Sequence, residues 1–122
     1  MAIKIEPWAG LSAQTYGDGK GKHIIANLIL KAKDLPVQEM PLEHLNIYNI
    51  GFDSDSIRKF VSHMKSIMNA DLDYPIILDE DGYVMDGRHR IAKALFEGKE
   101  TIKFVRFENT PDPDYLQVDD EK

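Results

Sequence analysis

A strand, a tight turn, a second strand and a helix follow one another between residues 75 and 98, and this run constrains the fold most. Pro75-Ile76-Ile77-Leu78 predicts a strand, and Tyr83-Val84-Met85 predicts its antiparallel partner. Asp79-Glu80-Asp81-Gly82 predicts the hairpin turn, because Asp-Gly readily adopts the backbone angles that such turns need. A helix is then expected from Arg88 to Glu97, with Gly98 as its stop and with Ile91, Ala92, Leu95 and Phe96 buried.

The other apolar patterns predict a second helix and three more strands. Residues 54–69 carry one apolar stripe, which we interpret as core packing rather than as a binding surface formed by its methionines. The run 23–30 predicts a buried strand, with a short buried helix as the alternative. Residues 37–40 and 102–107 alternate as strands do. The stripe consists of Ile57, Phe60, Val61, Met64, Ile67 and Met68, and the capping candidates are Asp53, Ser54 and Asp55.

These elements predict an α+β fold in which helices pack on one small mixed sheet within a single domain, residues 23–108. Residues 1–22 form an N-terminal segment that ends in a Gly/Lys-rich stretch, expected to be a mobile connector or else a lid. A P-loop is excluded there, because Tyr16 and His23 stand where that motif needs glycine and a hydroxyl residue. Residues 109–122 predict a solvated acidic tail.

Composition narrows the function classes. The 122 residues contain no cysteine, which excludes disulfides and thiolate metal sites. There is no apolar stretch long enough to span a membrane and no leader pattern, so we expect a cytoplasmic protein without membrane contact. The net charge of −6 argues against a broad basic face for long nucleic acid, so such binding should be weak or local. Arg88, Arg90, Lys93, Lys103 and Arg106 would have to supply it.

The start of the helix predicted over residues 88–97 is the candidate functional site. Its first amides lack partners within the helix and its dipole is positive there, so an anion is favoured. Gly87 permits close approach, and Arg88 and Arg90 can donate to phosphate. His89 could donate as well or simply pack, and Asp86 could cap the helix or bind magnesium. Without a ligand, the same residues would merely hold the fold.

Asp86-Gly87-Arg88-His89-Arg90, followed by Ala92, Ala94 and Gly98, resembles the signature of the ParB/sulfiredoxin superfamily. The resemblance covers roughly residues 36–107, including a Met40-Pro41-Leu42-Glu43-His44-Leu45 segment. It implies that Gly87, Arg88, His89 and Arg90 hold the phosphates of a nucleotide such as ATP, ADP or CTP with Mg²⁺. Arg90 matches the arginine shared across the superfamily and is the first choice for direct phosphate contact, with Arg88 as a second donor.

The chain departs from each branch of that superfamily. Arg88 stands where a sulfiredoxin carries its catalytic cysteine, so sulfinic acid repair is excluded. Partition proteins carry an Asn-Pro-Arg box, and only its asparagine has a counterpart in this chain, Asn49. No helix-turn-helix region is expected in the fifteen residues after Phe107.

Three functions remain open from the sequence. The first is a nucleotide-binding domain with NTPase or phosphotransferase activity, which needs a carboxylate. The resemblance implies that the segment before the predicted 54–69 helix faces the motif turn, so Glu43 and Asp53 are the catalytic candidates, with Asp55 and Asp86 as alternatives. The second, implied by the resemblance, is a ParB-like nuclease or nucleic-acid-binding module in a phage or mobile element. The third is a non-catalytic interaction or inhibitor protein whose acidic surface meets a protein partner.

Overall fold

The computed structural model describes residues 2–8, 14–48 and 51–116, and within these it shows a small α+β fold with three α-helices and two sheets. The elements in chain order are β1 (Thr15–Gly17), β2 (Gly21–Ile24), α1 (Ile25–Ala32), β3 (Gln38–Pro41), a 3-10 turn (Leu42–His44), α2 (Ile57–Asn69), β4 (Ile76–Leu78), β5 (Val84–Asp86), α3 (Arg88–Phe96), β6 (Thr101–Arg106) and β7 (Tyr115–Leu116).

The larger sheet is mixed and has the strand order β3-β6-β4-β5. Strand β4 runs parallel to β6 and antiparallel to β5, with Leu78 opposite Val84. Both faces of this sheet are covered. On one face Ile91 and Ala94 of α3 pack in a cluster with Ile76, and on the other Leu28 of α1 packs in a cluster with Ile77. The α+β class and a mixed sheet with packed helices are confirmed.

The hairpin and the helix that follows it are confirmed to within one or two residues. Asp79 organises the turn, since its carboxylate accepts from the backbone amides of Asp81 and Tyr83, at 2.9 and 2.8 Å. Gly82 adopts a φ of 88°, which L residues with a side chain rarely tolerate. The predicted burial on α3 is wrong in part: Ala94 is buried in place of Ala92, and Leu95 and Phe96 are exposed.

The predicted strand over residues 23–30 is wrong beyond Ile24, where α1 begins. Asp114, far along the chain, accepts hydrogen bonds from the backbone amide of Ile24 (2.6 Å) and from the side chain of Asn27 (3.2 Å). A carboxylate at the positive end of the helix favours the helical alternative. No local pattern around residue 24 reveals this contact.

The second sheet, in the order β1-β2-β7, was not expected. The Gly/Lys-rich stretch is the turn of the β1–β2 hairpin rather than a connector, because Asp18 accepts from the amides of Lys20 and Gly21 and pairs with buried His23. Part of the predicted acidic tail is structured as well, since β7 pairs with β2. The tail acids Asp119, Asp120 and Glu121 lie outside the described residues, as does Asn49.

Helix α2 differs most from its prediction. It begins at Ile57, and its N-cap is Ser56, whose hydroxyl accepts from the Lys59 amide at 3.1 Å. Asp53, Ser54 and Asp55 therefore do not cap it. The apolar stripe is not core: Ile57 is 83% and Phe60 55% exposed, and Met64 and Met68 are exposed too. The residue that α2 does bury is polar, namely His63.

Candidate functional site

Gly87 fixes the geometry at which β5 passes into α3. It is the N-cap of the helix, with φ 119° and ψ 17°, a conformation open to glycine. A methyl group at this position would overlap the side chain of Ile76 in the neighbouring strand. No side chain caps the helix, so the prediction that Asp86 is the cap is wrong. The first amides of α3 thus remain without a capping side chain.

A cleft of about 1170 Å³ opens beside this turn. Part of its lining is apolar and comes from α1 and the sheet, with Ile29, Ile77 and Met85 among its residues. The polar and aromatic groups of the site also line it, and they are Trp8, Phe52, Asp53, His63, Asp86, Gly87, Arg88, His89 and Arg90. The four predicted phosphate-binding residues therefore line one cleft, together with residues that the sequence did not single out.

The two arginines of the motif are in different electrostatic situations. Arg90 donates to the carboxylate of Asp86 at 3.0 Å, so this pair is largely neutralised. Arg88 forms no ion pair with any described residue. The Nε atoms of both arginines are buried without a hydrogen-bond partner there, so the missing carboxylate is what distinguishes Arg88. Buried donors without partners are costly. Arg88 is therefore the cation in this cleft that most needs an anion, although Arg90 was the first choice from the sequence.

Two histidines from different helices are joined by a hydrogen bond. His63 Nδ1 lies 2.9 Å from His89 Nε2, and His63 Nε2 lies 3.0 Å from the backbone carbonyl of Asp53. Two aromatic rings enclose the pair: Trp8 stacks on His63 with a centroid distance of 4.1 Å, and Phe52 stacks on His89 at 4.9 Å. The four rings form one compact cluster, and all four residues line the cleft.

Burial, the adjacent His63 and the guanidinium groups of Arg90 and Arg88 lower the pKa of His89 to about 4, while Asp86 acts in the opposite direction. His89 is therefore uncharged at neutral pH. The Nε2 of His89 faces His63, so this nitrogen is not available to donate to a phosphate. The stacking of Phe52 on the ring supports the alternative interpretation, in which His89 packs.

The acidic candidates occupy different places. Glu43 lies exposed on the 3-10 turn and does not line the cleft. Asp53 does line it, but its carboxylate pairs with Lys59 at 3.2 Å and its carbonyl accepts from His63. Within the described ranges, no cluster of three or more His, Asp or Glu side chains could hold a metal ion. Asp86 instead pairs with Arg90.

The basic residues considered for nucleic acid are mostly engaged elsewhere. Lys93 donates to the carbonyls of Met68 and Ala70, so it closes the end of α2 rather than facing solvent. Lys103 pairs with Asp73 across 3.6 Å, and the guanidinium of Arg106 donates to the carbonyl of Glu80. The charged groups of these three residues are therefore each engaged by oxygen atoms of the protein.

Sequence reasoning missed Trp8, Phe52 and His63 as residues of the site. His63 and His89 are separated by 26 positions, and no spacing rule links them. Trp8 reaches the site because its amide donates to Ser66 Oγ at 2.8 Å, which holds the N-terminal segment along α2. The sequence offered a signal for Trp8 only: it is the single tryptophan of the chain, and such a side chain usually has a packing partner.

Searches of protein-family models, of curated proteins and of solved structures return no match to this chain. Among the described helices, none combines the length and the apolar character that crossing a membrane requires.

Proposed function

We propose that the cleft binds a phosphate-bearing small molecule, with a nucleotide as the first candidate. The observation that carries the proposal is Arg88, an arginine at a helix N-terminus whose Nε is buried and whose charge has no carboxylate partner among the described residues. A phosphate would satisfy both the guanidinium and the free amides of α3. The resemblance of the Asp86–Arg90 motif to the ParB/sulfiredoxin superfamily supports the same class of ligand.

The size and lining of the cleft fit a ligand larger than phosphate alone. Ligand pockets typically measure roughly 300–1000 Å³, and this cleft of about 1170 Å³ leaves room for a nucleoside beside its phosphates. The apolar part of its lining and the cluster of four rings offer surface for a base or a similar flat group. Magnesium would arrive with the phosphates, and Asp86 and Asp53 are carboxylates of the lining that could meet it.

The test is a calorimetric titration of nucleoside di- and triphosphates with magnesium into wild-type protein and into Arg88→Ala. A charge-assisted hydrogen bond is worth about 1.5–3 kcal/mol, so the variant should bind about tenfold more weakly or worse. Arg58→Ala is the matched control, because Arg58 is an exposed arginine of α2 that does not line the cleft. Equal affinities for wild type and Arg88→Ala, or no binding by wild type, would refute the proposal.

A further inference from the structure

The hydrogen bonds around His63 determine where its proton lies. A carbonyl oxygen only accepts, so the 3.0 Å contact with Asp53 requires a proton on His63 Nε2. His63 is 5% exposed and has no carboxylate partner among the described residues, so a second proton would create an uncompensated buried charge. His63 Nδ1 therefore carries a lone pair.

The hydrogen bond between the two rings also determines where the proton of His89 lies. Because His63 Nδ1 accepts, His89 Nε2 must donate across the 2.9 Å contact. An uncharged imidazole has only one N–H, so His89 Nδ1 is left as an acceptor. Arg88 and Arg90 on the same helix oppose a further positive charge on this ring, and the carboxylate of Asp86 is taken up by Arg90. No described residue donates to His89 Nδ1.

An acceptor on His89, which lines the same cleft as Arg88, restricts what can bind. Ionised phosphate oxygens are acceptors too, so they would repel the lone pair of His89 Nδ1. The phosphate therefore belongs at Arg88 and the α3 amides, and His89 needs a donor from another part of the same ligand. Hydroxyl groups next to phosphates, as on a ribose, are the common donors of this kind.

We propose that the cleft selects phosphate esters that carry a free hydroxyl, with His89 Nδ1 accepting from that hydroxyl. His63 is the positioning residue: together with the Asp53 carbonyl it holds the His89 ring in the required tautomer. This inference rests on the proposed function, since it assumes that phosphate occupies the Arg88 side of the cleft.

The binding test compares ADP, 2′,3′-dideoxy-ADP and inorganic pyrophosphate, all with magnesium, by calorimetry. Loss of one neutral hydrogen bond costs about 0.5–1.5 kcal/mol, so wild type should prefer ADP over the dideoxy form by about 2- to 12-fold. His89→Gln can still reach His63 but has no acceptor at the Nδ1 position, so its preference should fall to about onefold. His89→Asn places an amide oxygen near that position and should recover part of the preference.

The tautomer is tested without any ligand by nitrogen NMR of the imidazole rings. We expect a protonated Nε2 and an unprotonated Nδ1 in both His63 and His89, and a mixture of tautomers for His89 in His63→Gln. A protonated Nδ1 on His89 in the wild-type protein would overturn the inference. Equal binding of ADP and dideoxy-ADP would also overturn it while leaving the proposed function intact, whereas failure of all three ligands to bind would remove both.

Discussion

Helices α2 and α3 pack against each other, but α3 buries apolar side chains whereas α2 buries a polar one. Helix α3 places Ile91 and Ala94 in the core and begins at the cleft. Helix α2 has the more regular apolar stripe, yet it exposes Ile57 and buries His63. A periodic pattern identifies which residues share a face of a helix, whereas the neighbouring elements decide which face is covered. Here α3 and the N-terminal segment contact α2 on other faces.

The largest effect is expected where α3 begins. Gly87→Ala would force a left-handed conformation on alanine and push its methyl group into Ile76, so the free energy of unfolding should fall by more than about 3 kcal/mol. Urea unfolding measures this. Gly98→Ala, at the other end of α3, is the control: it has φ 74° but no atom within 4 Å, and should lose only about 1 kcal/mol. Similar losses for both variants would show that the overlap with Ile76 is relieved cheaply.

Replacement of one isoleucine by alanine in each helix tests whether α3 is part of the core and the apolar stripe of α2 is exposed. Ile91 is 5% exposed in the core, so Ile91→Ala should cost about 2–4 kcal/mol. Ile57 is 83% exposed, so Ile57→Ala should change stability by less than about 0.5 kcal/mol. Chemical denaturation of both variants provides the measurement. A cost for Ile57→Ala that approaches that of Ile91→Ala would mean that the stripe of α2 is covered in solution.

The histidine contact between the two helices should make stability depend on pH. The pKa of His89 falls from 6.5 to about 4 on folding, so the unfolded chain binds a proton more readily than the folded one. Stability from this group is therefore full above pH 6.5 and is lost as the pH falls towards 4. The full shift corresponds to roughly 3 kcal/mol, and partial exposure of the ring reduces the expected loss to about 1–2 kcal/mol.

Urea unfolding of wild type and His89→Gln at several values between pH 7 and 4 checks this. The two curves should converge as the pH falls, because the variant has no imidazole to protonate at this position. His44→Gln is a suitable control, since His44 is exposed and lies outside the cleft. Parallel curves for wild type and His89→Gln would show that the buried pair accepts a proton at no cost.

The local part of the fold could be predicted from the sequence because it depends on neighbours along the chain. The turn formed by Asp79 and Gly82 fixes the β4–β5 hairpin, and Gly87 and Gly98 bracket α3 through backbone conformations that glycine adopts most readily. The gathering of the Asp86–Arg90 motif at one helix start follows from the same short-range rules.

The remaining features were decided by contacts between residues that are distant in sequence. Asp114 favours a helix where the apolar run from His23 also fitted a strand. His63 became a site residue only because α2 turns it towards α3. Burial and hydrogen-bond pairing are properties of the assembled elements. The sequence by itself therefore determined the β4–β5 turn, the limits of the helix at the motif and the charge of the motif, and the tertiary structure decided which of the charged groups remain free to bind.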